Sequence, residues 1–98
     1  MNVEHDDDDL KRMEFDKTFT GGRGDAVVKG FRKTMQHIRA AMDERDLYAS
    51  QGRRFEKLHG KREGQHSFRI NDQWRLIVEI RGKMPPKTIG VIEIADYH

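Results

Sequence analysis

The chain contains no cysteine, which excludes a disulfide framework and a zinc site built on thiolates. Proline occurs only twice, and no apolar stretch approaches the ~20 residues that a membrane-spanning helix needs. The N-terminus carries Asp6–Asp9 where a secretory signal would have cations followed by an apolar segment. We therefore expect a soluble protein of the reducing cytoplasm.

Hydrophobic residues are also few, at 35% of 98 residues. A chain of this length buries one modest core, so we expect a single domain over residues 1–98. The first ten residues contain five acids and neither lysine nor arginine; the other 88 carry 19 basic and 12 acidic residues, a net charge of +7. Such a basic body is typical of proteins that bind nucleic acid or an acidic partner.

Two amphipathic segments in the first half predict helices. Acids at Asp6–Asp9 favour a helix N-terminus, where N–H groups are unpaired, so we expect a helix over Asp8–Asp16. Asp25 is placed to cap a longer helix, in which Gly30 would allow close packing on the first helix and His37 would lie at the surface. Its apolar stripe, spaced by three and four residues, comprises Val28, Phe31, Met35, Ile38 and Met42.

The second half alternates with a period of two, which predicts strands. Ser67–Ile70 and the eight residues from Trp74 flank a turn signal at Asn71-Asp72, as in an antiparallel hairpin. Ile89–Ala95 is apolar on both faces except at one position, which indicates a central strand, and Asn2–Glu4 is a short edge strand. Helices followed by strands predict an α+β fold, with helices on one face of an antiparallel sheet.

The alternation also divides the hairpin into two faces. Trp74 and the alternate residues after it should pack under the long helix, while Arg75 would be presented to solvent on the opposite face. His66 is expected as an exposed polar position beside this face. One concavity would then collect Lys57, His59, Lys61, Arg62, Arg75, Tyr97 and His98.

This set of side chains suits cleavage of RNA without a metal ion or other cofactor, because it lacks a carboxylate cluster for Mg²⁺ and cysteines for zinc. The reaction needs a base for the 2′-hydroxyl proton, cations for the phosphate and an acid for the 5′-oxygen. Histidine serves either proton role near neutral pH, and arginine binds phosphate with fixed charge. Tyr97 or Trp74 offers a ring on which a base can stack.

Two segments resemble the HigB-like, or plasmid-killer, branch of the RelE/ParE toxin superfamily: LHGKREGQHSFRINDQWRL (Leu58–Leu76) and IEIADYH (Ile92–His98). Members typically carry Leu-Lys-Gly-Asp-Arg-x-Gly, an Asn-x-x-Trp/Tyr-Arg hairpin and a terminal Asp-Tyr-His. The resemblance implies a RelE-like microbial RNase fold, with two to three N-terminal helices on one face of a small antiparallel sheet. It also implies ribosome-dependent cleavage of mRNA. The implied partner is a helix-turn-helix antitoxin that inhibits the toxin. The toxin would contact DNA only through its complex with this antitoxin.

The resemblance further implies which residues act. Arg75 matches the arginine expected to hold the scissile phosphate, and Arg62 matches the arginine of the basic loop. The resemblance also implies catalytic roles for Asp96, Tyr97 and His98 in the ending. With the loop histidine His59, the predicted catalytic set is His59, Arg75, Asp96, Tyr97 and His98. The cations expected to bind RNA are Arg54, Lys57, Lys61 and Arg62.

Three positions depart from the family pattern. His59 stands where lysine is more usual, Lys61 where aspartate is frequent, and Glu56 where some members have a histidine that accepts the proton. The base is therefore open between His98, His59 and Glu56, in that order. Two other functions also stay open: a ParE-type inhibitor of DNA gyrase that cuts nothing, and a basic binding module without toxicity.

Overall fold

The computed structural model describes residues 1–49 and 51–96, so Ser50, Tyr97 and His98 lie outside the described residues. The helices are α1 (Asp8–Phe15), α2 (Asp25–Ala40) and α3 (Glu44–Ala49), and short 3₁₀ turns cover Gln51–Arg53 and Gly60–Arg62. The strands are β1 (Asn2–His5), β2 (Glu56–Lys57), β3 (Gln65–Arg69), β4 (Trp74–Arg81) and β5 (Thr88–Asp96). No helix in this part of the chain is long and apolar enough to cross a membrane.

The strands form one sheet in the order β1-β5-β4-β3-β2. β4 pairs antiparallel with β3 and with β5, and β2 pairs antiparallel with β3. β1 and β5 are parallel, because the whole helical layer and the hairpin lie between them in the chain. The α+β fold is thus confirmed, with β5 an internal strand and β1 at an edge as predicted; the sheet differs from the prediction in having one parallel pair.

The first helix begins as its acidic lead-in predicts. The backbone N–H of Leu10 donates to Asp7 Oδ1 at 3.0 Å, which satisfies one of the unpaired N–H groups of the first turn. Asp8 and Asp9 lie in that turn, where negative charge is favourable. The helix ends at Phe15, one residue earlier than predicted, after burying Leu10 and Met13.

The long helix buries most of the predicted stripe: Val28, Phe31, Met35 and Ile38. The prediction for Met42 is wrong, since α2 ends at Ala40 and 83% of Met42 is exposed. The chain turns extended at Ala41 (ψ 140°), and the Met42 N–H is then taken by Asp46 Oδ2 at 2.7 Å. At the other end Gly24 occupies the N-cap position, so Asp25 is the first helical residue rather than the cap.

Gly30 brings α2 close to the sheet rather than to α1. A Cβ at this position would lie 2.6 Å from Ile70 Cγ2 and 3.0 Å from the Ile70 carbonyl oxygen. The helix is therefore seated on the end of the β3–β4 hairpin. Because that hairpin also carries Arg75, this contact fixes the helical layer relative to the opposite sheet face.

Two histidines expected at the surface pack against aromatic side chains of the core instead. His66 is 7% exposed and stacks on Phe55 with ring centroids 4.8 Å apart, because β3 begins at Gln65 and places His66 on the same face as Phe68. His37 is half-buried and meets Phe68 edge to face at 6.2 Å. Both predictions of exposure are wrong for the same reason: the faces of α2 and β3 toward the core are wider than their apolar residues alone suggest.

A bulge in β5 keeps the central strands in register with the core. Ile77 is opposite Glu93 and Val78 is opposite Val91, so Ile92 is the extra residue. Because of this shift, the Leu76–Ile94 pair on one side of the bulge and the Val78–Val91 pair on the other both keep their apolar side chains toward the helices. The fully buried sheet residues on that side include Phe68, Leu76, Val78, Ile89 and Val91.

Candidate functional site

The sheet face turned away from the helices, here called the outer face, carries Arg75. Its register partners are Arg69 on β3 and Ala95 on β5, so the three residues form one row across the outer face. Ser67 and Ile77 form the next row, with Glu93 on β5. Polar and charged side chains thus dominate a surface that is continuous with the segment before β3.

Arg75 is buried, contrary to the prediction that it faces solvent: only 5% of it is exposed. Its Nε donates to Ser67 Oγ at 3.1 Å, and its Nη2 donates to the Arg54 carbonyl oxygen at 2.6 Å. Glu56 Oε2 lies 3.6 Å from Nη2. The alternation of β4 correctly predicted the face, but not that the segment before β3 folds over it.

The residue whose carbonyl holds Arg75 has an unusual backbone. Arg54 has φ of +44°, in the left-handed region that residues with a Cβ rarely adopt. The following pairing of β2 with β3 brings Glu56 opposite Ser67, which places both beside the Arg75 guanidinium. Strained backbone of this kind persists where the surroundings fix it and is frequent at functional sites.

An open groove of about 690 Å³ lies beside this arrangement. Its lining comprises Glu56, Lys57, Leu58, His59 and Arg62. Arg62 is held at the groove by Gln65 Oε1 at 3.1 Å and Glu93 Oε1 at 2.9 Å. Lys61 is exposed on the adjacent turn and does not line the groove.

A second, smaller cavity of about 250 Å³ has Arg75 in its lining. It is lined by Arg54, Arg69, Asn71, Asp72 and Arg75. Arg69 is ion-paired with Asp72, and Asn71 closes the hairpin turn by accepting the backbone N–H groups of Gln73 and Trp74 at 2.9 and 2.8 Å. Arg69 and Ser67 were missed as site residues, although the period-two alternation already places them on the face of Arg75.

Asp96 lies at the end of the same strands but on the other face by register. Its partner on β4 is Trp74, whereas Arg75 is opposite Ala95. Asp96 Oδ2 accepts a hydrogen bond from Gln73 Nε2 at 3.2 Å. By register the Asp96 side chain is therefore on the face opposite Arg75, and the predicted positions of Tyr97 and His98 lie outside the described residues.

The electrostatics separate groups that serve the core from groups that face the groove. Burial lowers the pKa of His66, and the nearby Lys57 charge lowers it further. A neutral imidazole stacked on Phe55 belongs to the core. On the outer side the described residues offer fixed guanidinium charge, the Glu56 carboxylate and the exposed His59 imidazole, a combination that can bind a phosphodiester and move a proton. Among the described residues no three histidine, aspartate or glutamate side chains are grouped to hold a metal ion.

Residues 3–89 match the model of a family described as the RelE-like toxin of the type II toxin-antitoxin system HigB. The chain belongs to this family of HigB-like toxins. The family predicted from Leu58–Leu76 is thus confirmed; the matched range stops before the ending Asp96–His98, which also supported it. A search of curated proteins gives no match.

Solved structures place this HigB-like toxin in the RelE-type fold. A YoeB/ParE toxin from Agrobacterium tumefaciens is similar with a TM-score of 0.62 and 19% identity over the full length of both chains. A chain from a YoeB–YefM complex of Staphylococcus aureus is similar with a TM-score of 0.59 and 18% identity, covering 100% of this chain and 97% of that one. At such identities the likeness concerns the fold alone.

The toxin brings together some predicted site residues and separates others. Arg75 is contacted by the Arg54 carbonyl and by Glu56, and the groove beside it holds Lys57, His59 and Arg62. Lys61 lies outside the groove lining, and the Asp96 side chain lies on the opposite sheet face. The described part of the site is therefore built by the segment from Arg54 to Arg62 folding against β3 and β4.

Proposed function

We propose that this type II toxin is an endoribonuclease that cleaves mRNA on the ribosome, without a metal ion, by attack of a 2′-hydroxyl on the adjacent phosphate. The observation that carries the proposal is Arg75, a cation with 5% exposure fixed by Ser67 and the Arg54 carbonyl. Burying a charge is costly, so a guanidinium held in this way is a preorganised site for an anion.

The reaction assigns a separate task to each group on the outer face. Arg75 binds the scissile phosphate and stabilises the charge that grows on it as the 2′-oxygen attacks. The bond from phosphorus to the 5′-oxygen then breaks, which leaves a 2′,3′-cyclic phosphate and a 5′-hydroxyl. The 2′-hydroxyl gives its proton to the base, and the departing oxygen receives one from an acid, so the atoms balance without any cofactor.

Glu56 and His59 are the described candidates for the base. Both line the groove, and Glu56 Oε2 lies 3.6 Å from Arg75 Nη2, while His59 is exposed on the basic turn. This proximity supports Glu56, which the sequence placed third. His98 remains the first candidate from the sequence, and Asp96 and Tyr97 keep the roles that the family resemblance implies.

The proposed partners follow from the basic outer face. Arg54, Lys57, Lys61 and Arg62 would bind the RNA backbone, and the ribosome would present the mRNA. A cognate helix-turn-helix antitoxin would inhibit the toxin in the cytoplasm. In the complex of the two proteins, only the antitoxin would bind DNA. The structure named as a YoeB–YefM complex supports a protein partner for a chain of this fold.

A second candidate is inhibition of DNA gyrase without cleavage of any nucleic acid. It is favoured by one observation: the Agrobacterium structure with the same fold is named as a YoeB/ParE toxin. The two functions differ in what they require, because a gyrase inhibitor needs no group that transfers a proton.

Primer extension on cellular mRNA after induction of the toxin separates these functions. We expect discrete new 5′ ends within translated mRNA and unchanged plasmid supercoiling. Loss of supercoiling without new 5′ ends would replace the nuclease with the gyrase inhibitor. Normal growth with neither effect would leave a basic binding module and would end the proposal.

A further inference from the structure

The cavity beside Arg75 has a charge distribution that its role in folding does not explain. Arg69 and Arg75 are direct register partners on neighbouring strands, with both side chains on the outer face. Like charges directly opposite each other destabilise a sheet. Arg54 adds a third guanidinium to the same cavity, so three arginines line it with one aspartate, Asp72.

Among the described residues, fewer carboxylates than guanidinium groups are paired at this cavity. Glu56 lies near Arg75 and Asp72 pairs with Arg69, but Arg54 has no ion-pair partner among the described residues. Asp72 is itself 96% exposed at the side chain, so its pairing with Arg69 is screened by solvent and worth little. Asp72 can therefore be displaced by a stronger anion.

The shape of the cavity also fits an anion. Its volume is about 250 Å³, and the Nη2 atom of Arg75, which lines it, lies 3.6 Å from Oε2 of Glu56, which lines the larger groove. The fixed hairpin turn at Asn71 supports one side, and the left-handed backbone of Arg54 directs the chain around the other. Guanidinium groups converging on one space are the usual means of binding a phosphate.

We infer that Arg54 and Arg69 form a second phosphate subsite, which binds the phosphodiester neighbouring the one held by Arg75. Asp72 forms an ion pair with the guanidinium of Arg69 when no RNA is bound. The inference rests on the proposed ribonuclease function. It adds a path for the RNA strand, which would run from the large groove past Arg75 into the small cavity.

Binding of a short 2′-O-methyl oligoribonucleotide tests this subsite, because that probe carries the phosphates but no attacking hydroxyl. Fluorescence anisotropy over a range of NaCl concentrations gives the slope of log K against log salt, about 0.7 per phosphate contact for a single strand. We expect R69Q and R54Q each to lower the slope by roughly 0.7. Arg45, an exposed arginine paired with Asp43 on α3, provides the matched control R45Q, which should behave as wild type.

Removing the competing carboxylate should have the opposite effect. We expect D72N to bind the probe roughly two- to five-fold more tightly, since Arg69 is released from its ion pair. The control D43N makes the same change of net charge beside Arg45 and should change the affinity less.

Equal slopes for R69Q and R45Q, or equal affinities for D72N and D43N, would overturn the subsite. These measurements are independent of cleavage. Absence of new mRNA ends with wild-type toxin would refute the nuclease while leaving a real difference between R69Q and R45Q intact. New mRNA ends with identical binding of the two variants would refute the subsite alone.

Discussion

At the scale of single residues, the decisive feature is the way that Arg75 is held. The contacts that stabilise this guanidinium include the hydroxyl and carbonyl of Ser67, the Arg54 carbonyl and the Glu56 carboxylate. Each comes from a different backbone segment than β4 itself. The orientation of the group is therefore fixed by the fold, which is the condition that the proposed electrostatic stabilisation of a phosphate requires.

Ser67 provides the simplest test of this preorganisation. The substitution Ser67→Ala removes the acceptor for Arg75 Nε, a hydrogen bond to a charged group worth about 1.5–3 kcal/mol. We expect mRNA cleavage to slow by about tenfold or more, mainly in kcat, while Ser67→Thr retains activity. Single-turnover cleavage of ribosome-bound mRNA measures the effect.

Thr34 supplies the control, because it is another fully buried hydroxyl that contacts an arginine, Arg53, but lies on α2. Thr34→Val should lower the free energy of unfolding without slowing cleavage. If Ser67→Ala cleaves as fast as Thr34→Val, Ser67 does not position Arg75.

The buried His66 should make the stability of the folded chain depend on pH. Burial, followed by the charge of Lys57, holds its pKa below the ordinary value, so the unfolded chain binds the proton more readily than the folded one. Stability from this group is therefore complete above about pH 6.5 and is lost as the pH falls toward the folded pKa. His37, whose pKa burial also lowers, contributes in the same direction.

Urea unfolding at about pH 7.5 and about pH 5.5 measures this loss. We expect the free energy of unfolding of the wild-type chain to be lower at the acidic pH. His66→Phe keeps the stacking on Phe55 but cannot be protonated, so its loss should be smaller. An equal loss in both proteins would mean that His66 does not contribute.

At the scale of elements, α2 and the β3–β4 hairpin are held together at Gly30. An alanine there gains helix propensity of about 1 kcal/mol, but its Cβ would lie 2.6 Å from Ile70 Cγ2 and 3.0 Å from the Ile70 carbonyl. We expect Gly30→Ala to destabilise the fold by about 1–3 kcal/mol, because the overlap outweighs the propensity.

A double-mutant cycle with Ile70→Ala isolates that contact in chemical denaturation. Gly30→Ala should cost less in the Ile70→Ala background, where the Cγ2 methyl is missing. Equal costs in the two backgrounds would place the strain elsewhere.

Most elements were predictable from local pattern, for reasons visible in single cases. The stripe from Val28 to Ile38 has the helical period, and Trp74–Arg81 has the period of a strand. The end of α2 was not predictable from the stripe, because Met42 continues the period although the backbone has already turned at Ala41.

The site was predictable only where it depends on alternation within one strand. Alternation places Arg75 on the outer face, and it also places Asp96 on the face of Trp74 once the register with β4 is known. The burial of Arg75 depends on β2, two residues long and without a pattern of its own. Such tertiary contacts follow from the register of β2 with β3, which no local sequence signal determines.

At the scale of the whole molecule, the acidic N-terminal segment lies away from Arg75. Asp7 caps α1, while Glu4 and Asp6 bind Arg81, at 3.1 and 2.6 Å, at the far end of β4 from Arg75. The acidic start therefore serves the fold at one side of the sheet. The cations of the outer face remain grouped around Arg75, which favours attraction of a polyanion to that side.

Primer extension on mRNA decides whether Arg75 acts in cleavage. It is applied to cells that express wild-type toxin, Arg75→Gln or the control Arg45→Gln, with folding of each variant checked by circular dichroism. We expect discrete cuts with wild type and with Arg45→Gln, and a loss of cuts with Arg75→Gln. Undiminished cuts with a folded Arg75→Gln variant would contradict the claim that this buried guanidinium holds the scissile phosphate.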